Sequence, residues 1–515
     1  MTENSSGYTK VNNKQIAKNA IYLYLRMFIT MWVTLYTSRF LLNVLGVEDY
    51  GIYNIVGGIT ILFTFIGSSL LLSSERYIAS SIAGYSSQRI KQIFSTCINC
   101  HLFIAFILFL LSETIGLWII NTQLVLPAER LLAANCVYQA SVISCVINVI
   151  NSPYHACVVA YERFGFNALE GIVLTFLKLC ILILVYFSTW DSLIYYATLY
   201  CLVNLLQIIM NLSYCYYHFN DIRYVTYWNK ELFFSIFRFA GLNMLKNGAF
   251  VSFNQGTNIG FNIFGGVVIN AALGVANQVY AACLSFMHAV QSAFYPQIIR
   301  TCAAKEYQDT NSLTRRAAKF SFLMLLFIGC PIILNMNFVL NIWLGKVPPY
   351  AIEFSIIILF ACFLDAIIEP LNTAMMAYGK IRNYVLLNST VWFASCMLIF
   401  ITLAIGEKFY ICLLFRIFAQ LLIVLISCIF LKKHINFPYS LFFKNDCIPL
   451  CIILISGLFI PHLLISLIKF NPFVEICFSI LISWIVIGLL IYLIGLNQSE
   501  KEYLIKFILT KFLTK

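Results

Sequence analysis

Apolar residues run along this chain in blocks of about 20, separated by short polar stretches. That is the length a helix needs to cross about 30 Å of hydrocarbon at 1.5 Å per residue. Fourteen such blocks are predicted to be membrane-spanning helices. They lie at 20–42, 52–75, 93–112, 131–152, 166–188, 192–216, 239–263, 268–294, 318–341, 352–376, 383–405, 409–431, 448–468 and 474–495. Between the third and fourth, "ETIGLWIINTQLVLPAER" is itself half apolar and blurs the boundary.

The polar gaps carry a charge pattern. The N-terminus, the gaps after even-numbered spans and the C-terminal tail hold 23 of the 33 Lys and Arg; the opposite gaps hold Arg130, Lys346, Lys408 and Lys469. Basic residues collect on the cytoplasmic side of a membrane, so both termini are expected there. The net charge of +12 then follows from topology and anionic lipid, and nucleic-acid binding is not implied.

Composition agrees: 61% of the 515 residues are apolar and only 10% charged. A water-soluble core cannot absorb that much apolar surface, so an all-α polytopic membrane protein is expected. The polar, basic start "MTENSSGYTKVNNKQIAKNA" lacks the features of a cleaved signal peptide.

The spans repeat. "NSPYHACVVAYERF" (151–164) and "IEPLNTAMMAYGKI" (368–381) share Pro153/Pro370, Ala160/Ala377 and Tyr161/Tyr378, and close the fourth and tenth spans. "NVLG" (43–46) meets "NIFG" (262–265), and Arg26 in the first span meets Lys246 in the seventh. Six spans separate the copies, so both halves cross in the same sense, as in two-bundle secondary transporters. The expected organisation is a cytoplasmic segment 1–19, a six-helix bundle 20–217, a linker 218–238 and a second bundle 239–431. A loop 432–447, an extra helix pair 448–495 and a basic tail 496–515 follow. A central cleft between the bundles is where such folds place their substrate.

Two longer stretches carry a resemblance. "KNAIYLYLRMF" (18–28) with "SRFLLNVLGVEDYGIYNIVGGI" (38–59) is similar to the opening of polysaccharide-transporter proteins. These are the O-antigen and exopolysaccharide flippases of the multidrug/oligosaccharidyl-lipid/polysaccharide exporter superfamily. "FNQGTNIGFNIFGG" (253–266), "NAALGVANQV" (270–279), "FYPQI" (294–298) and "AYGKIRNY" (377–384) resemble the second half of the same family. The resemblance covers roughly residues 15–430. It implies a polyprenyl-pyrophosphate-linked oligosaccharide as cargo, moved across a bacterial inner membrane by alternating access. The implied partners are membrane lipid and the glycan polymerase and glycosyltransferases of the same pathway.

An ionisable residue inside a span costs at least about 2.5 kcal/mol to insert, so each is a functional candidate. Arg26, Lys246, Arg39 and Arg416 are expected to hold the pyrophosphate, Arg through a bidentate fork and Lys as a point charge. The bland alternative is snorkelling to the headgroups. Asp365 and Glu369, four residues apart on one face, could bind a coupling ion or balance the cations. Glu170 and Lys178 in the fifth span are read as a structural ion pair or a further charge-balancing set. Asn247, Asn254, Gln255 and Asn258 would line a water-filled cleft, or bond helix to helix.

Other signals are set aside. "CINCH" (97–101) fits a c-type haem pattern but lies in a span on the expected cytoplasmic side, among eighteen Cys that read as small apolar residues. There is no P-loop, HExxH or GxSxG pattern. No cofactor, metal or enzymatic activity is expected. The competing functions are a multidrug antiporter of the same fold, which would want an acidic cleft, and a membrane glycan polymerase or acyltransferase, which would want a large outer loop.

Overall fold

In the computed structural model the backbone is described for residues 13–82, 86–161, 163–379, 381–466, 472–498 and 500–502. Within these helices some side chains, including those of 13–28 and 59–66, are not described. Every regular element among the described residues is helical: α1 (Asn13–Ile82), α2 (Ser87–Leu111), α3 (Leu131–Ala160), α4 (Phe164–Tyr186) and α5 (Ser192–His218) come first. Next are α6 (Lys230–Ala303), α7 (Tyr307–Leu334), α8 (Met336–Leu344), α9 (Ala351–Tyr378), α10 (Arg382–Ile405) and α11 (Phe409–Ile435). A single turn, α12 (Tyr439–Phe442), precedes the hairpin of α13 (Ile448–Ser466) and α14 (Pro472–Leu490).

The fourteen predicted spans map onto these elements. Eleven helical stretches among the described residues are long and apolar enough to cross a membrane. One, Met244–His288, has 45 residues and lies in α6, which contains the seventh and eighth predicted spans, while α1 contains the first two. α1 and α6 are too long for one crossing and break at a glycine: Gly46 has φ 78°, ψ 172°, and Gly266 has φ 74°, ψ −175°. Only glycine populates that region readily. The two kinks are 220 residues apart, so the backbone register sets Gly46 against Gly266 rather than against Gly265 as the sequence overlay has it.

Two boundaries differ from the predicted ones. The third span continues past 112 through two π-helical turns, Ser112–Gly116 and Ile119–Gln123, because "ETIGLWII" is apolar enough to extend it. The ninth ends at Leu334, where Pro331 withholds an N–H and Asn335 leaves helical geometry; the short α8 then starts afresh.

The chain forms two compact units. One comprises Met1–Val44, Phe63–Ile120 and Leu131–Asn243; the other comprises Leu45–Leu62, Asn121–Arg130 and Met244–Lys515. In the first, α3 packs on α5, α2 on α3 and α4 on α5. In the second, α9 packs on α11, α7 on α9 and α10 on α11, which is the same scheme six spans later. The α13–α14 hairpin packs on α7. Arg315 pairs with Asp446 at 2.6 Å, and the buried Lys319 pairs with Glu500 at 2.5 Å, fixing both ends of the hairpin segment to α7.

Polarity is distributed inside out relative to a soluble protein. On α2, Ser95, Thr96 and His101 are buried while Phe103, Phe106 and Phe109 are exposed. On α11, Gln420 and Ser427 are buried while Leu421, Leu425 and Ile429 are exposed. Side chains that can hydrogen-bond face protein, and hydrocarbon side chains face outward, as a lipid solvent requires.

Candidate functional site

Within the second unit, α6, α9, α10 and α11 enclose a cavity of about 320 Å³. Helical spacing selects its lining. α9 presents Asp365, Ile368, Glu369 and Asn372 at i, i+3, i+4 and i+7, one continuous face. α6 presents Lys246, Asn247 and Phe250 before the Gly266 kink and Tyr280, Leu284 and His288 after it; α10 adds Asn388, Ser389 and Trp392, and α11 adds Ile423.

Four residues expected from sequence thus meet at one site: Lys246, Asn247, Asp365 and Glu369. Lys246 and Glu369 are half-buried, and neither makes a side-chain hydrogen bond or ion pair among the described residues. Asp365, by contrast, is held on both oxygens. Tyr280 donates to Oδ2 at 2.8 Å and Gln420 to Oδ1 at 2.7 Å.

Arg416 lies behind this carboxylate. Its Nη2 is 3.9 Å from Asp365 Oδ2, its Nη1 donates to Asn254 Oδ1 at 3.3 Å, and its guanidinium sits 4.6 Å from the Tyr280 ring centre. It is 3% exposed, and its Nε and Nη2 make no hydrogen bond. Arg416 is therefore packed into the wall rather than lining the cavity, which is a correction to its expected place among cleft-facing cations. The cavity itself carries one ammonium against two carboxylates, not a cationic lining.

The remaining candidates lie elsewhere. Gln255 and Asn258 belong to an amide chain: Asn258 donates to Gln255 Oε1 at 3.5 Å, and Asn270 donates to Asn258 Oδ1 at 2.6 Å. That is the helix-bonding alternative. In the first unit Glu170, 2% exposed, accepts from Gln207 at 3.0 Å and Asn211 at 2.7 Å. Lys178 donates to Tyr200 OH at 3.1 Å and lies over its ring. The expected Glu170–Lys178 pair does not form, because eight residues place the two more than two turns apart and each finds a nearer partner on α5. Arg39 is exposed. The side chain of Arg26 lies outside the described residues.

Sequence reading missed Tyr280, Gln420, Asn372, Asn388, His288 and Trp392. Gln420 could have been found, since it is four residues after Arg416 on the same helical face. Tyr280 carried no such signal, because aromatic residues are frequent throughout the chain.

Solved structures share this architecture. The lipid II flippase MurJ in its inward closed conformation superposes with a TM-score of 0.72 over 92% of this chain and 99% of that one, at 14% identity. An inward-facing multidrug resistance MATE family transporter of the MOP superfamily gives 0.63 over 81% and 98%, at 12% identity. The MATE multidrug transporter DinF-BH gives 0.63 over 85% and 100%, at 14% identity. The fold is that of the MATE and MurJ transporters. At these identities the likeness is one of fold. No protein-family model matches the chain, and no curated protein does.

Proposed function

We propose that this chain is a flippase that carries a polyprenyl-pyrophosphate-linked oligosaccharide across a bacterial inner membrane by alternating access, with both termini cytoplasmic. The observation that carries the reading is the Lys246 ammonium, without a partner among the described residues, in a cavity walled by amides and aromatic rings. An unpaired cation half-buried in a membrane protein is costly unless it meets an anion during function. Asn247, Asn372 and Asn388 offer the donors and acceptors that a glycan needs, and Trp392 and Tyr280 offer ring faces for a sugar. The MurJ likeness, which takes in 92% of the chain against 81% and 85% for the two MATE transporters, supports a lipid-linked cargo. Glu369 is the group best placed to exchange a coupling ion, since Asp365 already holds Tyr280 and Gln420. Partners in this reading are membrane lipid and the polymerase and glycosyltransferases that handle the same glycan, with no cofactor and no catalysis by this chain.

A second reading rests on the same cavity: two carboxylates against one ammonium also suit an organic cation, which would make the chain an ion-coupled multidrug antiporter. Proteoliposomes separate the two. Loaded with a fluorescent short-chain polyprenyl-pyrophosphate disaccharide, they should let the sugar cross, read by loss of access to a membrane-impermeant quencher, and Lys246→Ala should abolish crossing. Movement of a rhodamine dye with a static glycolipid would establish the antiporter instead.

A further inference from the structure

The charges around the cavity of the second unit are not all available to a cargo. Asp365 is answered by Arg416, Tyr280 and Gln420. What is left is one ammonium, Lys246, and one carboxylate, Glu369, both half-buried and neither bonded to a described residue. A third group joins them. Asn388 lines the same cavity at 4% exposure, and its Oδ1 is a buried acceptor to which nothing donates. Such an acceptor is held at a cost until a donor reaches it.

Bonds between helices place the three groups in a row. α9 and α10 follow one another through a short connection and run antiparallel, and Tyr384 on α10 donates to Asn372 Oδ1 on α9. One turn back along α9 from Asn372 is Glu369, and one turn on along α10 from Tyr384 is Asn388. In an antiparallel pair those steps lead the same way, so Glu369 and Asn388 come opposite one another. At the next residue of α10, Ser389 donates to the Leu245 carbonyl of α6 at 3.3 Å, which brings Lys246 to the other flank of Asn388.

A cargo of one sign fits this row poorly. An anionic one pairs with Lys246 but sets its charge against Glu369, and a cationic one pairs with Glu369 but faces Lys246. A hydroxyl or N-acetyl group can donate to Asn388, yet it leaves Glu369 without a counter-charge where little water screens it. An ammonium has three N–H donors, enough for the carboxylate and the Asn388 oxygen together.

We propose that the cargo is zwitterionic: the sugar attached to its pyrophosphate carries a free, protonated amine. Lys246 takes the phosphate, while Glu369 and Asn388 Oδ1 take the ammonium of the same sugar. This rests on the flippase reading above and names its cargo. Ion exchange at Glu369 fits with it, because the cargo's ammonium and a coupling ion contend for one carboxylate.

The test is calorimetric titration of the full chain in detergent. The probes are geranyl pyrophosphate esters of glucosamine and viosamine, whose amines sit on different ring carbons, and of their N-acetylated counterparts. At least one free amine should bind about tenfold or more tighter than its N-acetyl form, the effect of one charge-assisted hydrogen bond. Glu369→Gln should erase that preference by weakening the free amine alone, and Lys246→Met should weaken amine and N-acetyl esters alike. The unsubstituted protein already makes the main comparison, so poor folding of a variant does not spoil it. Equal binding of amine and N-acetyl forms for both sugars, or a preference that survives Glu369→Gln, would overturn the zwitterionic cargo and leave the flippase reading in place. Binding indifferent to Lys246→Met would overturn the phosphate half of the row. If no ester binds and a rhodamine dye does, the flippase reading itself fails and the zwitterionic cargo falls with it.

Discussion

Lys246 and Glu369 line the same cavity from α6 and α9, and neither is bonded to the other or to any described residue. A half-buried charge with no bonded partner among the described residues is held at a cost, and is retained for what it binds. Asp365 and Arg416, one helical turn and one helix away, are in the opposite condition.

Lys246→Met and Glu369→Gln are therefore expected to leave thermal stability in detergent unchanged or raised, since neither breaks packing or pairing and each removes a charge held at a cost. Each should nevertheless abolish cargo movement in proteoliposomes. A large loss of stability in either variant would mean that the side chain is a structural member of the bundle.

Arg416→Met should behave otherwise. It removes a cation facing the buried Asp365 carboxylate, so a loss of about 3 kcal/mol or more is expected. Combining it with Asp365→Leu should recover most of that loss, because no uncompensated charge remains. Guanidinium or thermal unfolding of the four proteins of this cycle measures it, and an additive double variant would contradict the pairing.

Glu170 and Lys178 give the reverse cycle. Glu170→Gln faces two amide donors, Gln207 and Asn211, with an amide of its own, which should cost about 1–3 kcal/mol. Lys178→Met loses only its bond to Tyr200. Since the two side chains share no partner, the double variant should be additive within about 0.5 kcal/mol. Coupling above about 1 kcal/mol would restore the direct pair.

Gly46→Ala and Gly266→Ala should each cost about 1–3 kcal/mol, because both sit in a backbone region that only glycine occupies readily. Similar shifts in melting temperature are expected, as the two kinks do the same job 220 residues apart. Gly57→Ala, in helical conformation with open space around its Cβ position, is the control and should be neutral or slightly stabilising.

Much of this was legible because a bilayer is a severe solvent. Spans and repeat follow from block lengths and an echo between two helix ends, and each is a local property of the chain. The face of α9 that bears Asp365 and Glu369 was equally readable, since i and i+4 share a face whatever surrounds them. Partner choice was not readable. Glu170 bonds to Gln207 and Asn211 instead of Lys178, and Arg416 turns toward Asn254 and Tyr280, because side chains pair with what the next helix brings within about 3 Å.

The sequence by itself determined that this is a polytopic helical membrane protein whose second half repeats the helix order of the first, because hydrophobic length and repeated helix ends are written along the chain. Only the tertiary structure decided which charges face a cavity, which are buried in a wall, and that two segments of the first half pack with the second. Those outcomes depend on helix rotation and close backbone approach at Gly51 and Gly274, and neither is written in the period of the apolar blocks.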